Sequence, residues 1–203
     1  METTGRVSNE IIINKNDVLV TRTDHSGIIN YANDTFTKIT GFSEAEIIGK
    51  PHNIIRHPDM PKAIFYLMWK NIKRRNNIIA IVKNCAKNGD YYWVATDFRH
   101  EEDFSGAIKN YVAFRRPINQ ENIEVIEKLY SKLLEIEETS GMEASVKYFN
   151  RYLKDKNMSY TEFIADILVE PPLTQIIMKR IKGFFSVHKN LEKPRNVIVS
   201  QSL

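Results

Sequence analysis

The sequence predicts an α+β fold: two β-hairpins and a fifth strand, a helical insert between the hairpins, and a wholly helical region after them. Three observations predict it. Asp24-His25-Ser26-Gly27 and Lys87-Asn88-Gly89-Asp90 each separate two runs rich in β-branched or aromatic residues, the pattern of a hairpin whose turn requires glycine. Between the hairpins, Gly49 to Trp69 is broken by Pro51, Pro58 and Pro61, and Lys62 to Arg75 then runs without glycine or proline. Beyond Pro117 the apolar residues change to three-and-four spacing, the period of an amphipathic helix.

Residues 1–17 read as a cap, in which Ile11-Ile12-Ile13 suit a short strand or helix laid against the main domain. Val18 to Thr23 and Ile28 to Ala32 are the strands of the first hairpin. Asn33-Asp34 opens a short helix, Thr35 to Thr40, that Gly41 ends. Ser43, with Glu46 three residues on, is a capping box for another helix, ended by Gly49. Each proline pushes the residue before it out of the helical region, so Arg56 to Met60 is predicted as a fixed bend. Pro61 takes the first position of the next helix, whose Ile64, Phe65, Met68, Trp69 and Ile72 share one apolar face. Ile78 to Ala86 and Tyr91 to Arg99 form the second hairpin. Glu101 to Ser105 is an acidic loop, and Ala107 to Arg116 is the last strand.

Residues 118–188 are predicted as a helical bundle. Its first helix, from Asn119 or Gln120, carries the stripe Ile123, Ile126, Leu129, Tyr130, Leu133 and Ile136 and stops near Gly141. Glu143 to Leu153 is the second, and Tyr160 to Leu168 the third, opened by the Ser159/Glu162 capping box and closed by Pro171-Pro172. A fourth runs from about Pro172 through Phe185, and the polar residues 189–203 form a flexible tail.

Composition excludes several classes. With 42% hydrophobic and 27% charged residues the chain reads as an ordinary globular protein, with no apolar run long enough to cross a bilayer. Met1 to Ser8 lacks the basic start and apolar core of a signal peptide. Cys85 alone allows neither an internal disulfide nor a multi-cysteine metal site, so a reducing cytoplasm is expected. The formal charge is +4, and the whole excess falls within residues 1–117. That placement suits an anionic ligand; no helix-turn-helix or RNA-binding signature points to nucleic acid.

The run PHNIIRHPDMPKAIF, with a tryptophan four residues later, and the later KNGDYYWV carry a resemblance. Over roughly residues 10–117 the chain resembles the flavin-binding PAS domain of the aerotaxis receptor (Aer) type. Its relatives include the stand-alone PAS subunits of bipartite energy-taxis systems (the CetB type). The resemblance implies a PAS fold: one five-stranded antiparallel sheet with a helical insert, a sensor domain over residues 18–117, and a signalling or docking region over 118–188. It implies FAD as cofactor, held between the sheet and the Pro61 helix, with FMN the lesser choice. Matched position by position, Arg56, His57, Asp59 and Trp69 fall on the family's flavin motif. His52 lies within the same run, and Asn84 and Asn33 match amide positions on either side of the flavin's polar edge.

Each residue type suits its place. Arg56 offers a planar fork to phosphate, His57 a donor, Asp59 an acceptor, and Trp69 a flat apolar face. Ordinary readings stand beside these: Arg-His-Pro-Asp as a capping bend with a surface ion pair, Asn33 as a helix cap, Trp69 and Trp93 as core. No cysteine lies between Gly49 and Trp69, so light-driven adduct chemistry of the LOV kind is not expected. No second substrate-binding segment is visible, so a sensor is expected and an enzyme is not; no catalytic or metal-ligating residue is assigned. The expected partner is a membrane-bound methyl-accepting chemotaxis transducer, or a second copy of the chain. The protein itself would be cytoplasmic, or held at the membrane through its partner. The alternative is a PAS-fold adaptor whose pocket is empty or holds haem, with His52 or His57 as ligand.

Overall fold

The computed structural model describes residues 8–169. Its elements are β1 (Leu19–Asp24), β2 (Ile29–Ala32), α1 (Asp34–Thr40), α2 (Glu44–Ile47), α3 (Lys62–Ile72), β3 (Ile78–Cys85), β4 (Tyr91–Glu102), β5 (Ile108–Pro117), α4 (Gln120–Asp155) and α5 (Tyr160–Leu168). A 3-10 turn at His52–Ile55 precedes α3. The predicted Pro171-Pro172 boundary, the fourth helix and the tail lie outside the described residues. The strands form one antiparallel sheet in the order β2-β1-β5-β4-β3. The insert between β2 and β3 supplies α1, α2 and α3.

Local chemistry explains the boundaries. Asn33 caps α1 by accepting the Phe36 N–H at 3.0 Å, and the Ser43 N–H donates to Glu46 at 2.9 Å at the start of α2. Pro61 keeps an extended backbone (ψ 136°) and offers no side-chain cap, so α3 begins one residue later than predicted, at Lys62. The predicted acidic loop is shorter than expected. β4 continues through Glu102, which pairs with Ile108 across a bulge, leaving a turn around Asp103–Gly106. At the N-terminal side, Glu10 bridges Tyr91 and Ile13 is buried, so the cap lies along the start of β4.

Across the other face of the sheet lies α4, whose predicted stripe Ile123, Ile126, Leu129, Tyr130 and Leu133 is buried. The Tyr130 hydroxyl donates to the Ile81 carbonyl at 2.7 Å, and its ring lies 6.1 Å from that of Trp93. At Gly141 (φ 82°, ψ 169°), a conformation open essentially to glycine alone, the helical backbone is interrupted, so α4 is two helical segments that meet at a kink, the break that the sequence places near Gly141. Phe149 and Tyr152 then pack on Tyr160 and Phe163 of α5. Of the two docking partners open to the helical region, the sheet domain or a second copy, α4 and α5 pack on the sheet domain, because an amphipathic helix must bury its apolar stripe.

Candidate functional site

Side chains alternate across a strand, and on the α3 side of this sheet the inward residues are unusually polar. Thr21 and Thr23 of β1, Asn84 of β3 and Arg115 of β5 are all buried, and with Val82, Phe98, Tyr111 and Ala113 they form one wall of a cavity of about 530 Å³. Phe65, Met68, Trp69 and Ile72 of α3 form the opposite wall. The 3-10 turn and bend contribute His52, Asn53 and Arg56, and α4 contributes Met142 from just beyond its bend. The size and the apolar lining with few polar groups are those of a small-molecule site.

Arg115 dominates the electrostatics. Its side chain is 1% exposed, yet among the described residues no carboxylate pairs with it. One terminal nitrogen donates to Thr21 Oγ1 at 2.9 Å, the other to His52 Nε2 at 2.5 Å, and Nε has no partner. Burial pulls its pKa from 12.5 to about 10. His52 accepts that bond, so its proton sits on Nδ1. Burial, reinforced by the Arg115 charge, drops its pKa from 6.5 to about 3, and it is neutral at neutral pH. Asn84, 5% exposed, leaves its amide Nδ2 without an acceptor in hydrogen-bonding geometry. The Tyr92 phenol beside it is buried as well; burial pushes its pKa to about 12, and Arg115 and the Asn84 amide act against that shift. A native interior rarely leaves such groups unanswered. Two of them in one cavity point to a ligand with electron-rich atoms.

The structure brings together His52, Arg56, Trp69 and Asn84 at this cavity. Arg56 lies at the mouth, its guanidinium 4.0 Å from the Phe65 ring centroid and bonded to the Met60 carbonyl at 3.2 Å. Trp69 stands edge-to-face on Tyr111 at 5.6 Å. Asn33 is elsewhere. Its side chain accepts the N–H groups of Val20 and Phe36 and donates to the Val18 carbonyl, so the amide is spent on joining α1 to β1. His57 and Asp59 do not line the cavity either. The backbone bridge Arg56–Asn84 turns the chain past the β3 edge, and beyond it Asp59 pairs with Lys83 at 2.9 Å. Lys83 precedes Asn84 on β3 and so faces the opposite way, toward the rings of Tyr91 and Trp93. His57 is buried edge-on against Tyr91, and its Nδ1 accepts the Asp59 N–H at 3.1 Å. Burial and the Lys83 charge lower its pKa. Cys85 is also outside the cavity lining, its thiol pKa raised by burial.

Sequence reasoning missed Arg115, Thr21 and Met142. The signal for Arg115 was its two-residue spacing from Ala113 and Tyr111 in a strand whose inward face is buried.

Residues 29–115 match the family described as PAS fold. The chain is 42% identical over 118 residues to the aerotaxis receptor of Escherichia coli (strain K12), covering 57% of this chain and 22% of that protein. Over 98 residues it is 26% identical to the bacterioopsin transcriptional activator of Halobacterium salinarum, covering 48% of this chain and 14% of that protein. The chain thus spans less than a quarter of the length of these relatives. A light-oxygen-voltage domain solved in a study of a flavin analogue aligns with a TM-score of 0.50 at 18% identity, covering 56% of this chain and 87% of that one. At that identity the likeness concerns the fold alone. No helix among the described residues is long and apolar enough to cross a membrane.

Proposed function

Because residues 29–115 form a PAS domain, we propose that its cavity holds a flavin, FAD before FMN, and that the protein is a redox or energy sensor acting on a chemotaxis transducer. The observation that carries this reading is the aromatic-walled cavity with two buried polar groups awaiting a partner, Asn84 Nδ2 and Arg115 Nε. A flavin supplies a flat redox centre with an apolar body and one polar edge that becomes electron-rich on reduction. Trp69 and Phe65 offer the flat wall, and Asn84 and Arg115 offer donors to the polar edge. His52 stays neutral and keeps the guanidinium aimed inward. Arg56 at the mouth suits a phosphate. In this reading Asp59 and His57 secure the bend against β3 instead of touching the ligand.

Haem fits less well. His52 Nε2, the unprotonated ring nitrogen, is taken by Arg115, and His57 lies outside the cavity lining. The aerotaxis relative supports the chemotaxis setting. A reduced flavin would change the demand on Asn84, and β3 would pass this to α4 at the Tyr130–Ile81 bond. A state of the ligand shifts α4 only through a difference in binding free energy between two arrangements. The protein would act as a sensor in the cytoplasm, without turnover of a substrate.

Replacement of Trp69, Arg56 or Asn84 by alanine tests the assignment. Flavin occupancy should fall in each while the fold persists. Full occupancy with unchanged affinity in all three would refute it.

A further inference from the structure

The helix that forms the cavity's apolar wall lacks a cap of its own. Pro61, at the N-cap position of α3, has no side-chain acceptor, and the first turn holds no acidic residue. Such a helix start leaves backbone N–H groups without partners. The cap comes from 75 residues away in sequence: the Glu137 carboxylate accepts the Lys62 N–H at 2.9 Å with one oxygen and the Ala63 N–H at 2.7 Å with the other. Glu137 belongs to α4, which lies over the opposite face at Tyr130 and has crossed the β3 edge by the time it reaches α3. Five residues later, past the glycine bend, Met142 lines the cavity itself.

We infer that the ligand site extends beyond the sheet domain: Glu137 is a positioning residue that holds the cavity wall α3 from α4, and Met142 completes the lining. This deepens the flavin reading and rests on it. Residues 62–72 present Phe65, Met68, Trp69 and Ile72 to the ligand. Only chains in which this helix is formed and docked are competent to bind, and apparent affinity falls with that fraction. Glu137 also lies in the field of Arg56, whose charge it favours against the effect of burial. Loss of the carboxylate therefore has two separable consequences: an uncapped wall helix, and a less compensated cation at the mouth.

A capping cycle separates them. FAD affinity is measured by fluorescence on the full chain for wild type, Glu137→Ala, Glu137→Gln, Pro61→Ser and the double variant Glu137→Ala/Pro61→Ser. Serine at position 61 gives α3 a local cap without restoring charge near Arg56. Loss of a cap predicts that Glu137→Ala weakens FAD binding about tenfold. Glu137→Gln, which keeps one acceptor, should fall between, and the double variant should regain most of the loss. Amide exchange across residues 62–72 should follow the same order. Binding as tight as wild type, or tighter, in Glu137→Ala overturns the positioning role. So does a loss that Pro61→Ser fails to restore, because the effect then comes from charge or from general undocking of α4. A wild-type chain that takes up no FAD overturns the flavin reading itself, and this inference with it.

Discussion

Replacing Arg115 with methionine should have opposite consequences for the fold and for the ligand. The guanidinium is 1% exposed, and burial shifts its pKa from 12.5 to about 10. A lowered pKa in a base means that the folded state disfavours the charged form, so at neutral pH the charge costs stability. At 1.36 kcal/mol per unit that cost is about 3 kcal/mol. Against it stand the charged bonds to Thr21 and His52, of similar total worth at roughly 1.5–3 kcal/mol each when fully formed. Methionine fills similar volume, and exchanging a buried charge for a packed apolar group is often neutral or stabilising. The melting temperature of flavin-free Arg115→Met should therefore stay within about 5 °C of wild type. Flavin affinity, deprived of a charged donor in a dry cavity, should fall about ten- to a hundredfold. Thermal melts of the flavin-free proteins and fluorescence titration with FAD read the two effects. A large drop in melting temperature with unchanged affinity would refute the reasoning and make Arg115 a structural residue.

Acid should weaken the fold through His52. Its folded pKa of about 3 lies below its ordinary 6.5, so the unfolded chain takes the proton first. Stability is then intact above pH 6.5 and falls toward pH 3 by about 1.4 kcal/mol per pH unit. Urea midpoints between pH 7.5 and 5 should show this slope, and His52→Gln should reduce it to the part that His57, also lowered, contributes. An unchanged slope in that variant would remove His52 from the account. Gly141→Ala should cost about 1–3 kcal/mol, because φ 82° with ψ 169° is closed to a side chain even though space is open around the position; chemical denaturation measures it, and a neutral result would mean that the bend is not required. Tyr130→Phe leaves the Ile81 carbonyl without its 2.7 Å partner and should speed amide exchange in α4, at a stability cost of about 1 kcal/mol. Equal exchange in both proteins would show that this bond does not hold α4 to the sheet.

The strands, the short helices and the Pro61 helix were legible because each carries a local signature. Turn glycines, the Ser43/Glu46 and Ser159/Glu162 boxes, and the three-and-four spacing of α3 act over a few residues. What sequence could not supply is how adjacent residues part company in space. Arg56, His57 and Asp59 are nearly contiguous, yet Arg56 reaches the cavity while Asp59 meets Lys83 on the other side of β3. The bend passes over a strand edge, and neighbouring residues on a strand face opposite ways. Asn33 matched a position beside the pocket, but its side chain lies outside the cavity lining and is tied into the α1 cap and the start of β1. Arg115 was overlooked because a charged residue in a strand is normally read as solvent-facing. Glu137 left a trace only in what α3 lacks: a helix opening on proline with no acid in its first turn must find its cap elsewhere.

The absorption spectrum of the freshly purified full chain, followed by chromatography of the pigment released on denaturation, tests the central claim most directly. The account predicts flavin bands and released FAD. A haem Soret band, or colourless protein that cannot be loaded with flavin, would contradict it.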